Sequence, residues 1–91
     1  MAFGFTSDIP GMTREQYERL VPRLNAMVRE QPGFLVHMSG PTETGYRVTE
    51  VWESQEDQQR FSTEHAVQIF QEEGIPPGSM ETFSVENLVT R

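Results

Sequence analysis

Two residues of this sequence are histidines, His37 and His65, the side-chain type whose unperturbed pKa lies near neutrality and which suits abstraction of a proton beside a carbonyl. Tyr17 and Tyr46 could orient a phenol or enolate through their hydroxyls, and Trp52, the single tryptophan, could stack on an aromatic ring. Each also has a plainer reading. His65 could be a polar residue at a helix edge, and His37 could pair across an interface from mid-strand. Tyr17 and Trp52 could serve packing alone. Arg47 and Glu50 could together address a carboxylate, or form a surface pair worth little.

Other chemistries are excluded or poorly served. There is no cysteine, hence no disulfide, thiolate metal site or cysteine nucleophile. All seven basic residues are arginine, so no lysine can form a Schiff base. Ser39, Ser54 and Ser62 have no recognisable His/Asp framework in sequence. Gly74 to Gly78 is interrupted by two prolines and is no phosphate loop. The two histidines with Glu50 do not follow a known metal-ligand spacing, so no metal and no cofactor is expected.

These side chains need a small scaffold. Ninety-one residues supply one domain, spanning 1–91, and a chain this short buries roughly 60–70% of its unfolded surface, a thin margin that a partner subunit would widen. A net charge of −7 speaks against nucleic acid, whose phosphates need basic patches. No apolar run approaches the roughly 20 residues that span a membrane, and Met1 to Phe5 does not resemble a signal peptide. A cytoplasmic protein is expected.

Phe3 and Phe5 at period two predict a short strand over Ala2–Thr6, broken by Asp8-Ile9-Pro10-Gly11. Thr13-Arg14-Glu15-Gln16 reads as a capping box. Tyr17, Leu20, Val21, Leu24 and Val28 then form the apolar stripe of a helix, with Glu15 and Arg19 paired on its exposed side. Pro22 predicts a kink, either wrapping the helix over a sheet or leaving a gap beneath it. Phe34–Ser39 and Tyr46–Glu53 read as strands joined by a hairpin loop over Gly40–Gly45. Ser54 caps a second helix whose inward side carries Phe61, His65, Ala66, Ile69 and Phe70. Gly74 to Gly78 stops it, and Met80–Val89 supplies the last strand.

Strand, helix, strand, strand, helix, strand is the split βαβ order of an α+β, ferredoxin-like βαββαβ fold. Right-handed crossovers place two helices on one face of a four-stranded antiparallel sheet. A solvated second face would be polar at alternate positions. Phe34, Val36 and Met38 are expected on one face of their strand, with Leu35, His37 and Ser39 on the other; Tyr46, Val48, Glu50 and Trp52 oppose Arg47, Thr49, Val51 and Glu53. Neither side is simply polar, which predicts a homodimer joined through the sheets.

Val51-Trp52-Glu53-Ser54-Gln55-Glu56, followed by Phe61, His65 and Phe70, resembles the dimeric α+β-barrel superfamily, which includes antibiotic biosynthesis monooxygenases and stress-responsive barrel proteins. Ile9 to Thr13 with Tyr17, and Gly33 to His37 with Gly40-Pro41, are similar to a small branch of it. The resemblance implies a pocket between sheet and helices, and a cofactor-independent enzyme (monooxygenase, cyclase or isomerase type) acting on an apolar aromatic or polyketide-like compound. His65 matches the helix position of a catalytic histidine there. It would be the general base, with His37 and Tyr46 positioning the substrate and Trp52, Tyr17 and Phe61 lining its site. The haem-degrading branch fits poorly: the only Trp ends a strand, and the first strand has no Asn. The alternatives are a non-catalytic module that binds a small hydrophobic ligand or only dimerises, and an accessory subunit of a larger enzyme.

Overall fold

The structure, a computed structural model, describes residues 1–91. Its elements are β1 (Ala2–Pro10), α1 (Arg14–Val28), β2 (Phe34–Pro41), β3 (Gly45–Trp52), α2 (Gln55–Phe61), a π-helical turn (Ser62–Ala66), α3 (Val67–Glu72) and β4 (Ser79–Val85). The strands lie in the order β2-β3-β1-β4, each pair antiparallel, which is the expected ferredoxin-like sheet. No helix is long and apolar enough to cross a membrane.

The capping box at Thr13 is complete: its hydroxyl accepts from the Gln16 N–H at 3.1 Å, and Gln16 accepts from the Thr13 N–H at 3.0 Å. Leu20, Leu24 and Val28 bury the predicted stripe. Arg19, however, does not pair with Glu15. It reaches across to Glu73 at 2.8 Å, and the pair within the helix is Arg14–Glu18. Pro22 lies on the solvent side of a helix that runs unbroken from Arg14 to Val28.

β1 is longer than expected. Asp8, Ile9 and Pro10 stay in the ladder opposite Arg47, Tyr46 and Gly45, because the end position suits proline, which cannot donate to a ladder. The turn comes at Gly11, whose φ of 83° is the left-handed conformation glycine tolerates. Gly45 is required for closeness instead, since a β-carbon there would stand 2.2 Å from the Ile9 carbonyl oxygen. β4 ends at Val85, short of the expected Val89.

The largest departure is in β2. Phe34 pairs with Trp52, but Val36 pairs with Val51, so Leu35 is the extra residue of a β-bulge. One inserted residue reverses the phase of all that follow. Phe34 therefore shares a face with His37 and Ser39, not with Val36 and Met38 as alternation predicted. β3 splits as expected, and the odd spacing of Arg47 and Glu50 puts them on opposite faces. Arg47 turns outward to Asp8 at 2.7 Å.

The core fills the space between helices and sheet. Phe5, Ile9, Tyr46, Val48 and Trp52 from the sheet meet Leu20, Leu24, Val28, Phe61 and Ile69 from the helices. Trp52 is fully buried, with Phe34 edge-on at 5.6 Å and Phe61 tilted at 5.5 Å. The other face of the sheet carries Val36, Met38, Val51, Phe83 and Val85, with Met38 59% and Phe83 49% exposed. Phe83 lies directly over Gly4, where a β-carbon would meet its ring at 2.6 Å.

Candidate functional site

A cavity of ≈ 370 Å³ opens between the sheet and the second helical segment, within the range of small-molecule pockets. Phe5, Ile9 and Val48 form its sheet side, Phe61, Ala66 and Phe70 its helical side, and Ile75 and Pro77 border it from the loop before β4. Of α1 only Leu24 contributes, so the gap lies under the second helical segment and not beneath Pro22.

The π-helical turn helps shape this space. At its end the Val67 N–H bonds to the Ser62 carbonyl, five residues back, and Ser62, Ala66 and Val67 all belong to the wall. Such wide turns insert a residue into an α-helix and recur at functional sites.

Two polar side chains interrupt the apolar wall from buried positions. Glu50 is 4% exposed and Gln58 is 7% exposed. Glu50 is held from behind: Trp52 donates its indole N–H to Oε1 at 2.9 Å, and His37 Nδ1 lies 2.7 Å from Oε2. Trp52 is within reach because residues two apart on a strand share a face. His37 is its cross-strand partner only because the bulge at Leu35 turns it inward. A proton on His37 Nδ1 makes that ring the second N–H donor to the Glu50 carboxyl group, and two such donors offset much of the cost of burying a carboxylate.

The six residues expected at the site are therefore dispersed. Phe61 lines the cavity. Trp52 and His37 stand behind Glu50 and touch the space through it. His65, half-buried in the π turn, packs on Phe61 with ring centres 5.8 Å apart and is not part of the wall. Tyr17 and Tyr46 stack at 4.1 Å between α1 and the far end of β3. Tyr17 bonds Ser39 at 2.7 Å, and Arg14 donates to the Tyr46 hydroxyl at 3.4 Å, which holds its guanidinium pKa above the usual value.

Glu50 and Gln58 were not singled out as cavity residues from the sequence. A signal was present for Glu50, a charged residue alternating with Tyr46, Val48 and Trp52 on an otherwise apolar strand face. Gln58, one turn before Phe61, lay on the same helical stripe. No group of three or more acidic or histidine side chains is placed to hold a metal ion.

Solved structures of like fold are numerous. SnoaB of Streptomyces nogalater, a cofactor-independent oxygenase, is 14% identical with a TM-score of 0.73, covering 99% of this chain and 97% of its own. A monooxygenase from the gene ActVA-Orf6 of Streptomyces coelicolor, in complex with nanaomycin D, is 17% identical with a TM-score of 0.69, covering 99% and 90%. A point mutant of MhuD with two manganese protoporphyrin IX molecules bound per active site is 21% identical with a TM-score of 0.68, covering all of both chains. No curated protein matches the sequence significantly. Residues 5–73, which hold most of β1, everything from there to the end of α3 and most of the cavity wall, match the antibiotic biosynthesis monooxygenase family, and the chain belongs to it.

Proposed function

We propose that this protein is a cofactor-independent oxygenase of small apolar compounds, aromatic or polyketide-like, bound in the cavity between sheet and helices. The observation that carries the reading is Glu50: a buried carboxyl group, held by the Trp52 indole N–H and by His37 Nδ1, in the wall of an apolar chamber of ≈ 370 Å³. A base so placed can take a proton from an activated position of an electron-rich substrate. The resulting carbanion or enolate reduces dioxygen. For an activated methylene the sum is CH₂ + O₂ → C=O + H₂O, with the substrate supplying all four electrons.

His65, packed on Phe61 beside the wall, remains the alternative base. A porphyrin is less well served, because no histidine lines the cavity to ligate its metal. The protein works as a homodimer in this reading, its partner covering Met38 and Phe83 on the open face of the sheet, where apolar side chains stand in water.

The test is oxygen uptake by the purified protein with a panel of anthrones and hydroxynaphthalenes, with isotopic dioxygen tracing one atom into product. Conversion of a member with oxygen incorporated supports the reading; saturable binding across the panel without oxygen uptake overturns it. That second result would favour the non-catalytic binder, for which one observation already speaks: neither His37 nor His65 belongs to the wall.

A further inference from the structure

Gln58 is an anomaly in the wall. It is more than nine-tenths buried, yet its carboxamide makes no hydrogen bond within the chain. No buried side-chain nitrogen or oxygen of this protein is sealed away without a partner, so the Gln58 amide keeps some contact with solvent, and the residue belongs to the cavity wall. An amide in that position has no hydrogen-bond partner within the chain, and a ligand oxygen in the chamber could supply one in place of water.

Glu50 offers the complement. An ionised carboxylate has about four acceptor sites, and Trp52 and His37 use two. The rest can accept a donor from the cavity side. Glu50 is also the only charged residue in the wall; no arginine or histidine accompanies it. A ligand carrying its own carboxylate would meet like charge in an apolar surround, the most unfavourable setting for it.

From these observations, and resting on the small-molecule reading above, we propose that Glu50 and Gln58 form a two-point clamp that selects uncharged hydroxyl-bearing aromatics and rejects anionic ones. The ligand hydroxyl donates to Glu50, and the Gln58 amide donates to an oxygen of the same ligand. Where the substrate is to be deprotonated, the clamp sets the acidic hydroxyl on the base and holds the oxygen on which charge develops. His37 and Trp52 are positioning residues, fixing the carboxylate from behind.

Calorimetric titration at pH 7 with 1-naphthol and with 1-naphthoate tests the clamp without requiring turnover. The wild-type protein is expected to bind 1-naphthol at least about tenfold more tightly, the worth of one charge-assisted hydrogen bond. Glu50→Gln keeps an acceptor for Trp52 but removes the charge, and should narrow that preference to about threefold or less. Gln58→Met keeps length and apolar bulk, and should weaken 1-naphthol about five- to tenfold. Equal affinity of the wild-type protein for the two probes overturns the proposal whether or not the variants fold. So does a folded Gln58→Met variant that retains full affinity. Oxygen uptake is a separate readout. Selective binding without it overturns the oxygenase reading and leaves the clamp supported, whereas turnover without selectivity overturns the clamp alone.

Discussion

The indole of Trp52 donates to Glu50 Oε1 at 2.9 Å, inside the core and two residues along the same strand. A fully buried aromatic and a buried carboxylate thus satisfy each other. The other carboxylate oxygen meets His37 across the ladder, so three residues on two strands share one polar network inside an apolar layer.

Breaking that network should be costly. Glu50→Leu leaves the Trp52 N–H and a ring nitrogen of His37 without their partner, each costing about 1–3 kcal/mol when buried, so urea unfolding should show a loss of about 2–6 kcal/mol. Glu50→Gln retains an oxygen for Trp52 and should lose about 1 kcal/mol. Equal losses for the two variants would mean the network adds nothing beyond bulk.

Filling the chamber should separate binding from stability. Ala66 lies in the π turn against the cavity, and Ala66→Leu places extra methyl groups in empty space, so the melting temperature should hold or rise. Affinity for 1-naphthol should fall by at least about tenfold through direct exclusion. Unaltered affinity would place the ligand elsewhere.

Glu50 and His65 make opposite predictions for catalysis. If Glu50 is the base, Glu50→Gln removes about two to four orders of magnitude from kcat, as loss of a general base does, while His65→Ala changes it little. The reverse pattern would transfer the role to His65. Steady-state oxygen uptake on any identified substrate decides between them.

Acid should loosen the clasp between α1 and α3. Hydrogen bonds from Arg23 hold Glu72 below the usual carboxylate pKa, and those from Arg19 and Arg23 do the same for Glu73. A carboxylate whose folded pKa lies below its unfolded one contributes stability in full above the unfolded value and loses it as pH falls through the folded value. Unfolding midpoints should therefore drop below the ordinary carboxylate range. Glu73→Gln, which has no charge to lose, should show a shallower drop over the same pH interval in thermal melts.

The open face of the sheet should prove to be the dimer interface. Charges at its two exposed apolar side chains, in the double variant Met38→Glu/Phe83→Glu, should give a protomer in sedimentation at micromolar concentration where the wild-type chain gives a dimer. An unchanged dimer would move the interface to another surface.

Much of this fold was legible in one dimension because local physics writes it there. The Thr13 capping box and the Leu20-Leu24-Val28 stripe of α1 depend on residues three or four apart, and so does the Ser54 cap of α2. The strand order and the two-sided character of the sheet follow from alternation and from the sequence of elements. The site was not legible in the same way. Its floor depends on a single inserted residue, Leu35, that reverses the phase of β2 and brings His37 to Glu50; a bulge is decided by cross-strand pairing, and no spacing within β2 announced it. Likewise the π turn carries His65 onto Phe61 and out of the wall, while Gln58, an ordinary helix residue in sequence, becomes a polar group facing an apolar chamber. Residue types named the available chemistry, but only packing between distant segments determined which groups meet, and Glu50 acquired its place through partners that the tertiary fold alone could bring to it.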